Sequence, residues 1–486
     1  MTTIKQRQVK EYAYSGPEEM KKMLGAFFTP DEYVKISTEY LRNAIERVPE
    51  GYDYIILDRC AGTGNLEKFL TDDELSHCIL NTFRKEEATF LEEVYGDRVK
   101  HVLNKDALSE EFNTELIKIV KSEKKKADNK LIVIGLENPP YSVPQADTIL
   151  GGGARKQNVW IKTKMKEEDG VKGACTNDLV NQFIWSMTRI YANEYIIYSP
   201  IKYWKSQHLF DGQYHEGYLC NRKKFHATEA AISLISWSIN KTYSNEWINV
   251  GSDLGDRVVK KIKVGISNLT PVKDNNKVCA SLYHVSGLPD FKNGTLINIK
   301  FNKHLKENKL TENTILLALP LWVANCYKCK DYTEKEVIMK SGDGGIKYQE
   351  DKDFLNDCFI WSCLSQQKKC ISNDEVKNEL CLCQNTKADK FLKPEKRHEK
   401  LMNKWNTILK IVKTTDEYNE SYTYGFHQII KEINIRVEIR RTKNNKPVME
   451  YKYKELNVLI KEQRQELQKF YDEYLTPKLF EYELLK

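Results

Sequence analysis

The stretch YDYIILDRCAGTGNLEKF, residues 52–69, decides the fold. An apolar run, Tyr54 to Leu57, ends on Asp58, passes through Gly62 and Gly64, and hands over to a fresh helical pattern. A short apolar run closed by a glycine turn and followed by a helix is the opening of an α/β unit. Gly62 and Gly64 let the backbone turn sharply and leave amide groups open to a ligand that a Cβ would screen. A strand–helix turn that binds nothing uses the same residues. Asp58 points to a ligand, because a carboxylate at a strand terminus holds an ammonium or hydroxyl group and disfavours phosphate.

Strand and helix signals alternate around this unit. Helical spacing runs over 31–48, GNLEKFLTDD opens a helix, and further helices are expected over EEATFLEEVYG, ELIKIVKSEKKK and 177–193. Strands are expected at 52–58, 76–83, 98–104, 131–138 and 194–204. This rhythm predicts a doubly wound, Rossmann-like α/β sheet whose ligands sit at the carboxyl ends of its strands. After about residue 240 it changes to short strand-like runs and then helices, NTILLALPLWVANCYKC and KDFLNDCFIWSCLSQQKKC among them. The last stretch spaces Leu456, Leu459, Leu467, Phe470 and Leu475 along one helical face. Two domains are expected, 1–240 and 241–486, the second a mixed α+β region.

With 41% hydrophobic residues, 27 Tyr and 8 Trp, the chain has the composition of a folded protein. No window reaches a membrane span and MTTIKQRQVKEYAYSG lacks a signal-peptide core, so a cytoplasmic protein with no membrane partner is expected. The 12 scattered cysteines are expected to be thiols. A net charge of +7 permits a nucleic-acid partner without demanding one. Arg436, Arg440, Arg441, Lys443, Lys446, Lys452 and Lys454 stand against only Glu438 and Glu450. That run reads equally as a solvated strand–turn–strand or as a phosphate-contacting edge.

A second motif follows the strand at 131–138, where LIVIGLEN runs into Pro139, Pro140 and Tyr141. Asn138 offers an amide oxygen, and Pro139, lacking an N–H, turns its neighbouring carbonyls away from the ladder. Two acceptors side by side can each take one hydrogen of an NH2 group. Such a nitrogen, adenine N6 or a carboxamide, is a poor nucleophile because its lone pair is delocalised; gripping both hydrogens favours a pyramidal nitrogen with the pair free to attack. Tyr141 supplies a flat face on which a base can stack.

GAFFTP (25–30), DRCAGTGNL (58–66) and NPPY (138–141), in this order and followed by a long C-terminal region, resemble the gamma-type, S-adenosylmethionine-dependent N6-adenine DNA methyltransferases of restriction-modification systems. The resemblance covers roughly the first 240 residues. It implies S-adenosylmethionine as cofactor and double-stranded DNA as partner, with room for a separate restriction endonuclease and no requirement for metal. It implies that Phe28, Thr29 and Pro30 cradle the methionyl end of the cofactor, with Asp58, Cys60, Ala61, Gly62 and Gly64 on its other side. Asp106 matches the position that accepts a hydrogen bond from the cofactor's adenine amine, though an Asp after a strand also serves as a helix cap. Asn138, Pro139, Pro140 and Tyr141 would hold the target base, with Phe225 as a candidate opposite wall of its pocket.

The chain departs from the pattern at the end of the second strand. Thr82, Phe83 and Arg84 stand where the family places the acid that holds the ribose hydroxyls, leaving Glu86 or Glu87 on the next helix as substitutes. Residues 142–176, Gly- and Lys-rich, read as a DNA-contacting lid carrying Arg155, Lys156, Lys162 and Lys164 or as a surface loop with no role. Cys326 and Cys329 form a CxxC, but Cys363, Cys370, Cys381 and Cys383 do not complete a zinc spacing. PDFKNGTLINIK has Asn298 where a nuclease core needs its second acid. Methylation of RNA or of a protein glutamine, and a DNA-binding subunit without catalysis, are the alternative readings.

Overall fold

A computed structural model of the chain describes residues 29–141, 159–171, 176–206, 212–225, 229–239, 247–260, 278–283, 289–290, 295–296, 307–311, 313–338, 345–365, 393–420 and 424–486. Phe28, Arg155, Lys156, Cys370, Cys381, Cys383 and Asn298 lie outside the described residues. The chain divides into two compact units, one drawn from 1–263 and 329–337, the other from 264–328 and 338–486.

The first unit is built on a nine-stranded sheet. Strand β1 (Asp53–Asp58) lies between β2 (Cys78–Thr82) and β4 (Leu131–Glu137), parallel to both. On one side β2 continues to β3 (His101–Asn104), and on the other β4 continues to β5 (Glu194–Ser199), all parallel. Beyond β5 the direction reverses. β7 (Ala231–Ile239) is antiparallel to β5 and to β6 (Gly212–Asn221), and β8 (Trp247–Ser252) with β9 (Arg257–Lys260) extends that edge past residue 240. The order is therefore β3-β2-β1-β4-β5-β7-β6-β8-β9, the expected doubly wound, Rossmann-like fold.

Strand alternation explains why both faces of the sheet are covered. Ile55, Leu57, Val133, Tyr195 and Ile197 pack on one side with Phe112, Leu116 and Trp185. Ile56, Ile134, Leu136, Ile196 and Tyr198 pack on the other with Tyr33, Val34 and Leu41 of helix α1 (Asp31–Glu46). Apolar residues at every strand position are what a sheet buried on both faces needs. Because neighbours of β1 run in opposite topological senses, the crevice between the carboxyl ends of β1 and β4 is the switch point at which such sheets bind ligands.

Three expected elements are broken, each for a local reason. GNLEKFLTDD forms only a turn at Glu67–Phe69 before Leu70 goes extended, and α2 (Asp72–Ser76) restarts on a Thr71–Glu74 capping box. The strand expected to reach 204 stops at Ser199, because Pro200 cannot donate to the ladder and its carbonyl instead starts a turn at Tyr203. The helix over 177–193 is α-helical only at Leu179–Ser186, capped by Asp178, and widens to a π-turn at Met187–Tyr191.

The second unit holds helices at Ile315–Asn325, Lys352–Ser365, Glu399–Val412 and Lys454–Phe470, with two-stranded ladders beside them in sequence. Trp361 packs between Trp322 and Tyr471 and donates to Leu467 O at 3.0 Å. Leu456, Leu467, Phe470 and Leu475 are buried as the helical face predicts, with Ile460 taking the core position next to half-buried Leu459. No helix among the described residues is long and apolar enough to cross a membrane.

Candidate active site

Three separated motifs meet on one residue. Thr29, buried at the entrance to α1, accepts on its carbonyl from Asn65 Nδ2 at 2.6 Å, and Asn65 directly follows Gly64. Its hydroxyl Oγ1 accepts from Asn138 Nδ2 at 2.8 Å. The FFTP, glycine-loop and NPPY segments, more than a hundred positions apart at the extremes, are thus joined at the switch point between β1 and β4. Pro30 caps α1 through its carbonyl, which accepts from Tyr33 N and Val34 N.

Asn138 is the first residue past β4 and its amide has a fixed sense. With Nδ2 committed to Thr29, Oδ1 faces the other way, where the Tyr141 hydroxyl donates to it at 2.5 Å. Pro139 is buried, Pro140 and Tyr141 half-buried. Among the described residues the carbonyls of Pro139 and Pro140 accept no hydrogen bond. One amide oxygen and free carbonyls beside it supply the paired acceptors that an NH2 group requires.

The two loop glycines do different work. Gly62 has φ +57° and nothing within 4 Å of where a Cβ would stand, so its backbone borders open space. Gly64, at φ +72°, is a packing glycine: a Cβ there runs into the Tyr95 ring and lies 3.0 Å from Leu91 Cδ2, and Tyr95 donates to its carbonyl at 2.8 Å. Ala61 is buried and Cys60 half-buried; Ala61 N donates to Asn81 O and Cys60 N to Asp58 Oδ1, both short enough to fix the loop.

Asp58 is fully buried, with Oδ2 unbonded, and it faces Glu67, whose two oxygens are likewise buried and unbonded. Two carboxyls buried together without a cation between them do not both stay ionised. Burial, then the charges of Glu67 and Glu137, hold the Asp58 carboxyl well above the carboxylate range. Burial pushes Glu67 up to about 7. The folded chain therefore keeps a proton that the unfolded chain has released, and stability falls as pH rises from 4.5 toward about 7. Glu67→Gln is expected to flatten that slope by up to about 1.4 kcal/mol per pH unit, read as the difference in thermal midpoint between the ends of the window. An unchanged slope would mean the pair is ionised in the fold.

Beneath the site lies a buried ion pair that sequence reading missed. Arg59 donates from Nε to Glu137 Oε1 at 2.6 Å and from Nη2 to Oε2 at 3.0 Å, and also to Ser186 Oγ and Phe183 O. Tyr195 donates to Glu137 Oε2 at 2.6 Å. Asp58, Cys60 and Glu137 offer ligand-type atoms within 4.8 Å of one another, but both Glu137 oxygens are already taken by Arg59 and Tyr195. Asn81 was missed as well: its Nδ2 donates to Arg59 O and Lys105 O, and its Oδ1 accepts from Lys105 N, tying the ends of β1, β2 and β3. The available signals were a charge at each end of an apolar run and an Asn inside a buried strand.

At the end of β2, where Thr82, Phe83 and Arg84 stand, a carboxylate comes from the next helix. Glu87 folds back from helix α3 (Lys85–Tyr95) and accepts from Thr82 Oγ1 at 2.6 Å, with Arg84 3.7 Å away, whereas Glu86 is exposed. Phe83 is 60% exposed beside it. Asp106 makes the cap-like turn, accepting from Leu108 N on Oδ1, while its Oδ2 has no hydrogen bond among the described residues. Phe225, the candidate pocket wall, is 1% exposed, stacked on Tyr33 at 5.6 Å and edge-on to Tyr198, within the core.

No protein-family model matches the chain, and no curated protein sequence does. Among the solved structures that are similar to it, two each match 46% of the chain. One is described as a class I S-adenosylmethionine-dependent methyltransferase from Listeria monocytogenes, 16% identical, with a TM-score of 0.30 over 65% of that chain. The other is the type IIG restriction endonuclease BpuSI, 14% identical, with a TM-score of 0.32 over 27% of that chain. The match thus spans less than two thirds of either protein's own length.

Proposed function

We propose that the chain is a site-specific DNA methyltransferase that transfers a methyl group from S-adenosylmethionine to N6 of an adenine flipped out of duplex DNA, in a restriction-modification setting. The observation that carries this reading is the meeting of Thr29, Asn65 and Asn138 at the switch point. The cofactor's shape and charge fit what surrounds it. Gly62 borders open space where a side chain would intrude, and Asp58 fixes the loop beside it by accepting from Cys60 N. Glu87 is the carboxylate at the ribose position and the free Asp106 oxygen suits an adenine amine.

Bound there, S-adenosylmethionine supplies a methyl on a sulfonium, electrophile enough for in-line displacement. The chain's own residues do the positioning. The Asn138 oxygen and the carbonyl beside it take the two hydrogens of the amine and turn its lone pair outward. Tyr141 offers its ring to the displaced base, whose unstacking costs a few kcal/mol. When the amine arrives, the Tyr141 hydroxyl yields the Asn138 oxygen it holds.

The test is long-read sequencing and nucleoside digestion of DNA from cells expressing the protein: N6-methyladenine in a fixed context is expected, and label from tritiated cofactor entering RNA or protein but not DNA would overturn the substrate. For the ribose acid, Glu87→Ala is expected to weaken cofactor binding roughly ten- to hundredfold by isothermal titration, the worth of hydrogen bonds to a charged group. Glu86→Ala should leave it unchanged, and equal losses in both would remove Glu87 from the role.

A further inference from the structure

The basic run of the C-terminal half folds as a two-stranded ribbon. Strands Arg436–Arg441 and Pro447–Tyr451 pair antiparallel, with a bulge between Glu438 and Arg440. A tight turn closes them, Thr442 N to Lys446 O and Asn445 N to Thr442 O at 2.9 Å each, with Asn445 at φ 58° and Arg441 donating to Asn445 O. Residues 438–447 are exposed without interruption, so neither face of the outer ribbon is packed on anything described. Its base is anchored, since Lys452 N donates to Ile435 O and the chain then enters the helix at Lys454.

An isolated ladder exposed on both faces is marginal in water, and a sequence that keeps one needs a reason outside the fold. Two uses can be separated on the residues. Strand addition to another copy is discouraged, because Pro447 lacks the N–H and the bulge twists the edge away. Charge points elsewhere. Of five basic residues on 436–451, Arg436 lies over the Tyr451 ring and Arg441 is held by Glu438 at 2.8 Å. Arg440, Lys443 and Lys446 stand at the tip, exposed and with no carboxylate partner among the described residues. Ile439 and Met449 add apolar surface, 49% and 43% exposed, beside them.

We infer that this ribbon enters the major groove of duplex DNA, with Arg440, Lys443 and Lys446 on phosphates or base edges. The major groove admits a two-stranded ribbon, its walls are the polyanion three free cations would meet, and thymine methyls give the exposed apolar residues a partner. The inference rests on the DNA reading above and gives it a recognition surface.

The experiment is fluorescence anisotropy of a random-sequence duplex oligonucleotide over a KCl series, comparing the intact chain with Arg440→Gln/Lys443→Gln/Lys446→Gln. Exposed charge-to-amide changes leave the fold intact, checked by circular dichroism. The plot of log K against log salt is expected to become shallower by roughly two to three. A control, Lys124→Gln/Lys125→Gln/Lys126→Gln in the first unit, removes the same charge and should leave the slope alone. An unchanged slope in the ribbon variant, or an equal change in the control, overturns the ribbon while leaving the DNA reading standing. Failure of the unaltered chain to bind duplex DNA, or tighter binding to RNA or anionic vesicles, overturns both.

Discussion

Asn138→Ala is expected to lower the rate of methyl transfer to duplex DNA by about 10²–10³-fold, the usual cost of deleting one hydrogen-bonding group aimed at the reacting centre. Cofactor affinity should stay close to that of the unaltered chain, because Asn138 touches Thr29 and Tyr141 and not the Asp58 side of the crevice. The change should fall on kcat more than on KM if the amide acts on the amine as it becomes a nucleophile. Asn138→Asp keeps an acceptor where the amide oxygen stands, and Thr29 can reverse its hydroxyl to donate, so a smaller loss is expected there. This pair of variants isolates the acceptor from the shape. Near-full turnover in Asn138→Ala, with binding intact, would remove the clamp from the mechanism.

The order of the motifs was legible before any coordinates, because each is local: a strand end, a glycine turn, a proline that cannot donate. So was the fold, since apolar runs of strand length alternating with helical spacing leave few architectures open. What could not be read were side-chain pairings across distance. Nothing in the sequence says that Thr29 would take Asn65 on its carbonyl and Asn138 on its hydroxyl, or that Arg59 and Glu137 are partners. Helix length was overread at GNLEKFLTDD, where Thr71 with Glu74 makes a better start than a continuation through Leu70. The surroundings of Phe225 were equally beyond reach, since an aromatic before an apolar strand suits a pocket wall or the core, and here it stacks on Tyr33. The second unit was legible as short strand-like runs and helices, but which strands pair with which was not, because pairing depends on contacts distant in sequence.

Arg59→Met should be the most destabilising single change in the first unit. It leaves the Glu137 carboxylate buried with two neutral donors, Tyr195 and the backbone N–H of residue 59, and no countercharge, and removes the guanidinium contacts to Ser186 and Phe183, a loss of about 3–5 kcal/mol. The thermal midpoint is expected to fall by something on the order of 10 °C. Burial works to discharge Arg59 and the neighbouring Glu137 more than offsets it, so the guanidinium stays charged in the fold. Replacing the whole cluster, Arg59→Met/Glu137→Leu/Tyr195→Phe, removes the buried charges and the hydroxyl together, leaving only the residue-59 N–H without its Glu137 acceptor, and should recover most of the lost stability. Activity should not return with it. Glu137 is the last residue of β4 and Asn138 the next, so the ion pair sets where the amide begins as well as holding β1 to β4 and β5. Transfer rate and melting midpoint measured on the same preparations separate the two roles. Full activity in the stable triple variant would reduce the cluster to packing, and a single variant that melts where the unaltered chain does would show that the charge never needed its partner.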